Sequence, residues 1–560
     1  MDLVLALHSH LPYVLNHGRW PHGSDWLSEA AVDTYLPLVE MLRALEVQRI
    51  PGPITLGITP ILATQLAHQT FGRELRAFIA QRLGACDEAI ADFATSGEKT
   101  LVPIAEFWRG RLARLGRLFD RLNGDLVAEF RRHEEAGRIE IISSAATHGF
   151  LPLLARDESI RLQLAVGLAE HQRLFGRTPT GCWVPECAYR PRGDWQPHPD
   201  APFIPRRRGI EEHLGDAGYG YFFTDSHLAQ AGRALGGYQE TEVPDGALVI
   251  SDDALELVAV RSPYRAYQVY PRRGRSKVST LVRDPVSSRR VWSRYQGYPG
   301  DGGYLEFHKI RFPGGLKFWR VTGTHVDLGG KGRYDPNGAR AKARDHALDY
   351  AGLLTSIGNQ ESASGGELIV VPFDTELFGH WWFEGVDFLA DLYRGLAARG
   401  GPRPTTGARH LTDQPASVAV ELAEGSWGAN GDFSKWLNPE TIWTWRRLWR
   451  AEERFWQAAR PAYLRPDCHP ILAQAARELL LAQSSDWQFI ISSETAGDYA
   501  SKRFADHLAN LDRLVTLLES GRVTPEGLAE AAELRLLNDI FPEIMSSLAA
   551  ALEGNGPFGG

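Results

Sequence analysis

The sequence predicts an α/β fold: a barrel of parallel strands with an inserted small domain and an all-helical C-terminal domain. Three observations carry that expectation. Short apolar runs recur along the chain, and each ends on a polar residue. Stretches with helical spacing of apolar residues lie between most of them, and strand–helix alternation over this length builds a parallel sheet or a barrel. The polar residues gather at the C-terminal ends of the runs, where a barrel of this kind assembles its site.

The elements follow in order. "LVLALHSH" is the first strand, ending at His8 and His10, and "AVDTYLPLVEMLRALE" is the helix after it. "ITLGITP" ends at Thr59 and "IEIISSAATHG" at His148. The helix "ESIRLQLAVGLAEHQRLF" returns the chain to "TGCWVPE", which ends at Glu186. "YGYFFTDSH" ends at Asp225 and His227, and "ELIVVPFDTE" at Asp374. A doubly wound open sheet would place a glycine-rich phosphate turn after the first strand, and "HSHLPY" is not one.

Residues 191–290 break the alternation with "RPRGDWQPHPDAPFIPRRRG" and "YPRRGRSKVSTLVRDPVSSRR", and are expected as an inserted lid. The basic run reads as a solvated face rather than a binding patch. Residues 1–190 and 291–411 are then the two parts of the barrel. From 412 to 560 helical patterns such as "TIWTWRRLWRAEERFWQAARPAYL" and "PILAQAARELLLAQ" form the last domain.

A chain of 560 residues with 43% hydrophobic and 23% charged residues is an ordinary globular protein of two or three domains. A net charge of −8 argues against nucleic-acid and anionic-membrane partners, which need a basic face. Cys86, Cys182, Cys187 and Cys468 form no CxxC pair and read as buried thiols of a reducing compartment. "MDLVLALHSHLPY" lacks the basic flank of a signal peptide, and no apolar stretch reaches membrane-spanning length. The expected location is the cytoplasm.

Many of the 16 tryptophans sit beside Gly, Asp, Asn and His, as in "NHGRWPHG", "FGHWWFEG" and "EGSWGANGDFSKW". The C–H face of a sugar packs on such rings while its hydroxyls find the polar neighbours, although any single Trp reads equally as core. Glu186 and Asp374 are the sharpest candidates for chemistry. Each ends an apolar run, a costly place for a charge unless it is paired or used. Two carboxylates in one mouth are the minimum apparatus for cleaving a glycosidic bond, and a like charge nearby helps keep one of them protonated. Two separate ion-paired acids remain the alternative for any pair among 69. His8 and His10, two apart on a strand, share a face. With His148 they read equally as zinc ligands or as donors to sugar hydroxyls.

"LHSHLPYV", "ATHGF", "CWVPECAYRP", "VPFDTELFGHWW" and "EGSWGANGDFSKWLN", in this order, resemble the motif set of glycoside hydrolase family 57, most closely its 1,4-α-glucan branching enzymes. The resemblance runs from the first strand to "SSDWQF" and implies a (β/α)7 barrel, an insert and a helical domain that closes the cleft. It implies a retaining mechanism without metal or other cofactor, acting on an α-1,4-glucan, with Glu186 as nucleophile and Asp374 as acid/base. His10 and His148 match active-site histidines of the family, which favours sugar contacts over zinc, and His8 stands beside them. Glucan-binding positions fall on Arg283, Gly300, Trp427 and Asp486, and cleft aromatics on Trp292 and Trp436. Tyr238, in what reads as a glycine-flanked turn of a longer and more basic insert, is the candidate for shielding the intermediate from water. Water as acceptor would make the chain an amylase, and another 4-hydroxyl a 4-α-glucanotransferase. A metal-dependent deacetylase built on His8 and His10 and a catalytically silent glucan-binding protein are the competing classes. The oligomeric state is not legible, and a monomer is compatible with it.

Overall fold

The computed structural model describes residues 1–231, 233–239, 247–249, 261–269, 278–293, 297–323 and 325–554, with side chains absent from the description over 231–260. Seven parallel strands form its centre: β1 (Asp2–Ser9), β2 (Ile54–Ile58), β3 (Ile139–Ser144), β4 (Gly181–Trp183), β5 (Tyr221–Thr224), β6 (Val278–Val282) and β7 (Leu368–Asp374). They run in the order β7-β1-β2-β3-β4-β5-β6. The two ends of that row meet where the Asp284 N–H, just past β6, donates to the Val370 carbonyl of β7 at 2.8 Å. The result is the expected (β/α)7 barrel.

The strands read as unbroken apolar runs because both of their faces are covered. Every residue of β1, β2 and β6 is buried. One face belongs to the large core shared with the surrounding helices. The other faces inward, where Val4, Ala6, Ile142, Trp183, Tyr221, Phe223, Leu281, Leu368 and Val370 make a core of their own. Because strand side chains alternate, the inward row of β1 continues from Val4 and Ala6 to His8 and then His10. The inward row of β7 continues from Leu368 and Val370 to Asp374. The polar residues at the strand ends are thus the top layer of a filled barrel. Gly57 on β2 leaves room for this layer: a Cβ there would lie 3.3 Å from His8 Nδ1.

The segment 191–290, expected as an insert, differs. It supplies β5 and β6 to the barrel itself. "VSTLV", embedded among arginines, reads as part of a basic loop until its strand neighbours are known. From β6 the sheet runs on outward through Ala266–Val269, Val418–Glu421, Arg233–Gln239 and Ala247–Val249. Tyr238 therefore lies on a strand, opposite Leu248, and not in a turn. Its side chain lies outside the described residues.

Helices fill the chain from Ile442 to Glu553. His469–Ala482 is buried at every position from Ile471 onward and forms the axis of this region. The last helix, Ile544–Glu553, packs on Asp157–Phe175 of the barrel. Among the described residues, no helix is long and apolar enough to cross a membrane.

Candidate active site

Glu186 follows β4 in the short turn Pro185–Cys187 and adopts a left-handed backbone, φ 60° and ψ 22°. A non-glycine residue holds that conformation only when its surroundings fix it. Here the Trp427 N–H donates to the Glu186 carbonyl at 3.1 Å. The Trp427 indole Nε1–H donates to Glu186 Oε2 at 2.9 Å. Ser485 Oγ stands 3.5 Å and His148 Nδ1 3.7 Å from Oε1. Burial pushes the Glu186 carboxyl up to about 8; the Trp427 bond opposes the rise, and the charges of Asp374 and Asp486 add to it.

Asp374 ends β7 opposite His8 of β1. Burial raises its carboxyl to about 8, the Glu376 charge adds to the rise, and the Arg283 guanidinium opposes it. At neutral pH the mouth therefore holds carboxylates that resist ionising together, and protons stay on part of the set. Arg283 is itself held by Asp225 Oδ2 at 3.0 Å, and its guanidinium lies 5.9 Å from the Trp427 ring centre. Trp292 stands 6.2 Å from both Trp427 and Phe373 and extends the aromatic wall.

The three histidines stack. His8 lies 4.6 Å from Trp183, nearly parallel, and His10 lies 4.1 Å from His148. His8 Nε2 meets His148 Nε2 at 2.9 Å, and His148 Nδ1 meets Ser485 Oγ at 2.9 Å. His10 is spanned by Thr59 Oγ1 at 3.0 Å and Asp486 Oδ2 at 2.8 Å. Burial holds His8 and His148 well below the usual imidazole range, so both stay neutral. His10 lowers the Asp486 carboxyl against the pull of burial, which keeps Asp486 ionised. These rings pair with one another and with hydroxyl and carboxyl groups. Among the described residues, no group of three His, Cys, Asp or Glu side chains converges as metal ligands do.

The structure thus brings Glu186, Asp374, His8, His10, His148, Arg283, Trp292, Trp427 and Asp486 to one mouth. One expected cleft ring is set back from it. Trp436 is 1% exposed and packs under Phe150 and Phe489, so it backs the wall and does not line it. Gly300 ends the turn Tyr298–Gly300, anchored through the Tyr298 hydroxyl on Asp349. Among the described residues, no hydrogen bond ties that turn to Glu186 or Asp374. Ser485 and Glu376 were not among the expected site members, and Asp225 was expected only as a strand-end residue. Ser485 precedes Asp486 in "SSDW", Glu376 lies two positions past Asp374 in "FDTE" and Asp225 closes "FFTD", and that proximity was the available signal.

Fold and site together define a carbohydrate-active barrel enzyme. The chain belongs to glycosyl hydrolase family 57, whose sequence model matches residues 4–406. Residues 447–548 match the model of the 1,4-alpha-glucan branching enzyme C-terminal region. The chain is 37% identical to the 1,4-alpha-glucan branching enzyme TK1436 of Thermococcus kodakarensis, over 92% of this chain and 73% of that one. The crystal structure of a family 57 branching enzyme from Pyrococcus horikoshii superposes with a TM-score of 0.85 at 34% identity, covering 98% of this chain and 96% of that one. The α-amylase AmyC of Thermotoga maritima superposes with a TM-score of 0.80 at 28% identity, covering 98% and 99%.

Proposed function

We propose that the chain is a 1,4-alpha-glucan branching enzyme working with retention of configuration, Glu186 being the nucleophile and Asp374 the acid/base. The observation that carries this reading is the unequal support of two buried carboxyls in one mouth. Glu186 takes an indole N–H bond that favours its charged form. For Asp374, the Arg283 charge opposes the rise caused by burial and Glu376. A nucleophile must be ionised and a general acid protonated; burial raises both carboxyls, and the indole bond favours the charged form of Glu186.

In the first step Glu186 forms a bond to the anomeric carbon of an α-1,4-linked glucose as the bond to the leaving 4-oxygen breaks. Asp374 gives its proton to that oxygen. In the second step Asp374, now a carboxylate, removes the proton of an acceptor 6-hydroxyl. That oxygen displaces Glu186 from the anomeric carbon, leaving an α-1,6 branch and both carboxyls as they began. Trp427 and Trp292 offer faces for the chain. His148, kept neutral by burial, stands beside Glu186 without placing a positive charge against it. The free, buried cysteines support a reducing, cytoplasmic setting.

The similarity to an α-amylase favours one second reading, the same mechanism with water as acceptor. Incubation with amylose separates the two: branching gives new α-1,6 anomeric signals by proton NMR with few new reducing ends. Reducing ends without α-1,6 signals would replace the branching reading with the hydrolytic one.

A further inference from the structure

We infer that Gln483, together with Glu452 and Gln163, is a positioning residue of the reaction: the three form a buried hydrogen-bond relay that locks the helical region onto the barrel beside Glu186. The inference rests on the reading of Glu186 as nucleophile. Glu452 on Ile442–Tyr463, Gln163 on Asp157–Phe175 and Gln483 at the end of His469–Ala482 are each at most 1% exposed.

The direction of every bond follows from one end. The Thr147 backbone N–H can only donate, so Gln163 Oε1 accepts from it, at 3.1 Å. Gln163 Nε2 then donates to Thr147 Oγ1 and to Gln483 Oε1, both at 3.0 Å. Gln483 Nε2 in turn donates to Glu452 Oε1 at 3.0 Å, and Glu452 Oε2 accepts from the Ala155 N–H at 2.7 Å. Thr147 Oγ1 donates to the Leu480 carbonyl. Gly149 makes the approach possible, because a Cβ there would lie 2.8 Å from Gln163 Nε2.

None of these side chains touches the reacting carboxyls, but Thr147 is one residue and Gln483 two residues from groups that contact Glu186. Thr147 precedes His148, whose backbone is left-handed at φ 59°. Gln483 precedes Ser484, Ser485 and Asp486. The two segments are then stitched together by the Ser485 N–H to the His148 carbonyl at 3.2 Å. Ser485 Oγ reaches both His148 and Glu186. A fully satisfied buried network fixes such segments in one register, and a half-satisfied one releases them. A shift of about 1 Å in groups around a reacting centre costs on the order of a hundredfold in rate.

The test is Gln483→Glu, which sets two acceptors face to face, and its pairing with Glu452→Gln. In the double variant the amide at 452 donates to the carboxylate at 483 and accepts from Ala155, so the 483–452 bond is remade in reverse while the bonds from Gln163 and Ala155 keep their direction. Turnover is read as leaving-group release from an activated α-maltosyl substrate, per active site counted by covalent trapping. For Q483E we expect kcat to fall at least about tenfold, with KM within about threefold and the acidic limb of the pH profile moved upward. The double variant should recover to within about threefold of the wild type on both measures. A normal kcat and limb in Q483E, or a folded double variant no better than Q483E, overturns the inference. If Q483E does not fold, Gln163→Met, which breaks both amide links at similar length, is judged by the same two readings. A wild-type protein inert on this substrate would instead remove the assignment of Glu186, an outcome distinct from a relay that does nothing.

Discussion

Replacing Trp427 by Phe isolates one bond. The indole N–H donates to Glu186 Oε2 at 2.9 Å, while the backbone N–H of the same residue holds the Glu186 carbonyl at 3.1 Å. Phe keeps the backbone bond and most of the ring packing against Trp183, 5.0 Å away, and Trp292. What is lost is a hydrogen bond to a charged group, worth about 1.5–3 kcal/mol. That bond favours only the ionised carboxyl, and one pH unit corresponds to about 1.36 kcal/mol. The Glu186 carboxyl, already pushed up to about 8, should then ionise about 1–2 pH units higher. The acidic limb of kcat/KM on amylose should move upward by that amount, and the rate below the limb should fall about 10- to 100-fold. The thermal midpoint, measured alongside, should change little. A uniform fall in rate with the limb unmoved would refute the claim that Trp427 acts through the charge of Glu186.

Glu186→Gln keeps the shape and removes the nucleophile, so turnover of amylose should fall by about four orders of magnitude or more while the circular dichroism spectrum is retained. Asp374→Asn should be comparably damaging on amylose but milder on a substrate whose leaving group needs no proton. On that substrate its pH profile should lose the alkaline limb, and the acidic limb should move downward because the Asp374 charge no longer opposes ionisation of Glu186. Glu384, buried against the Tyr334 hydroxyl and the Leu305 N–H, is raised to about 7. A carboxyl raised on folding contributes stability below its unfolded value near 4.3, and loses it as pH rises through the folded one. Glu384→Gln should therefore match the wild type near pH 5 and exceed it near pH 8.5 by about 1–3 kcal/mol, seen as a higher thermal midpoint.

The barrel was legible because parallel strands buried on both faces leave unbroken apolar runs, and "LVLAL" and "ELIVV" announce themselves. Glu186 and Asp374 were singled out because a carboxylate that closes such a run is costly unless it is paired or used. β6 was hidden because five residues between arginines carry too little pattern, and its strandedness comes from β5 beside it. Trp436 misled for a related reason: a ring in a Gly-, Asp- and Asn-rich loop suits a cleft or its backing equally, and only packing on Phe150 decides. Gln163 and Gln483 carry no motif at all. Their partners are 16 and 320 positions from Gln163, so the relay exists only once the helices are docked.

The shell of Glu186 is completed from the far end of the chain, and this has a consequence for the protein while it is being made. Both carboxyls have left the ribosome's decoding centre once residue 374 is joined, but Trp427 and Ser485 have not. At about 5–20 residues per second, the stretch from 374 to 485 takes on the order of ten seconds. Throughout that interval the nascent chain carries both carboxyls, with the indole donor and hydroxyl neighbour of Glu186 arriving only later. The site around Glu186 is therefore complete only after most of the polypeptide exists.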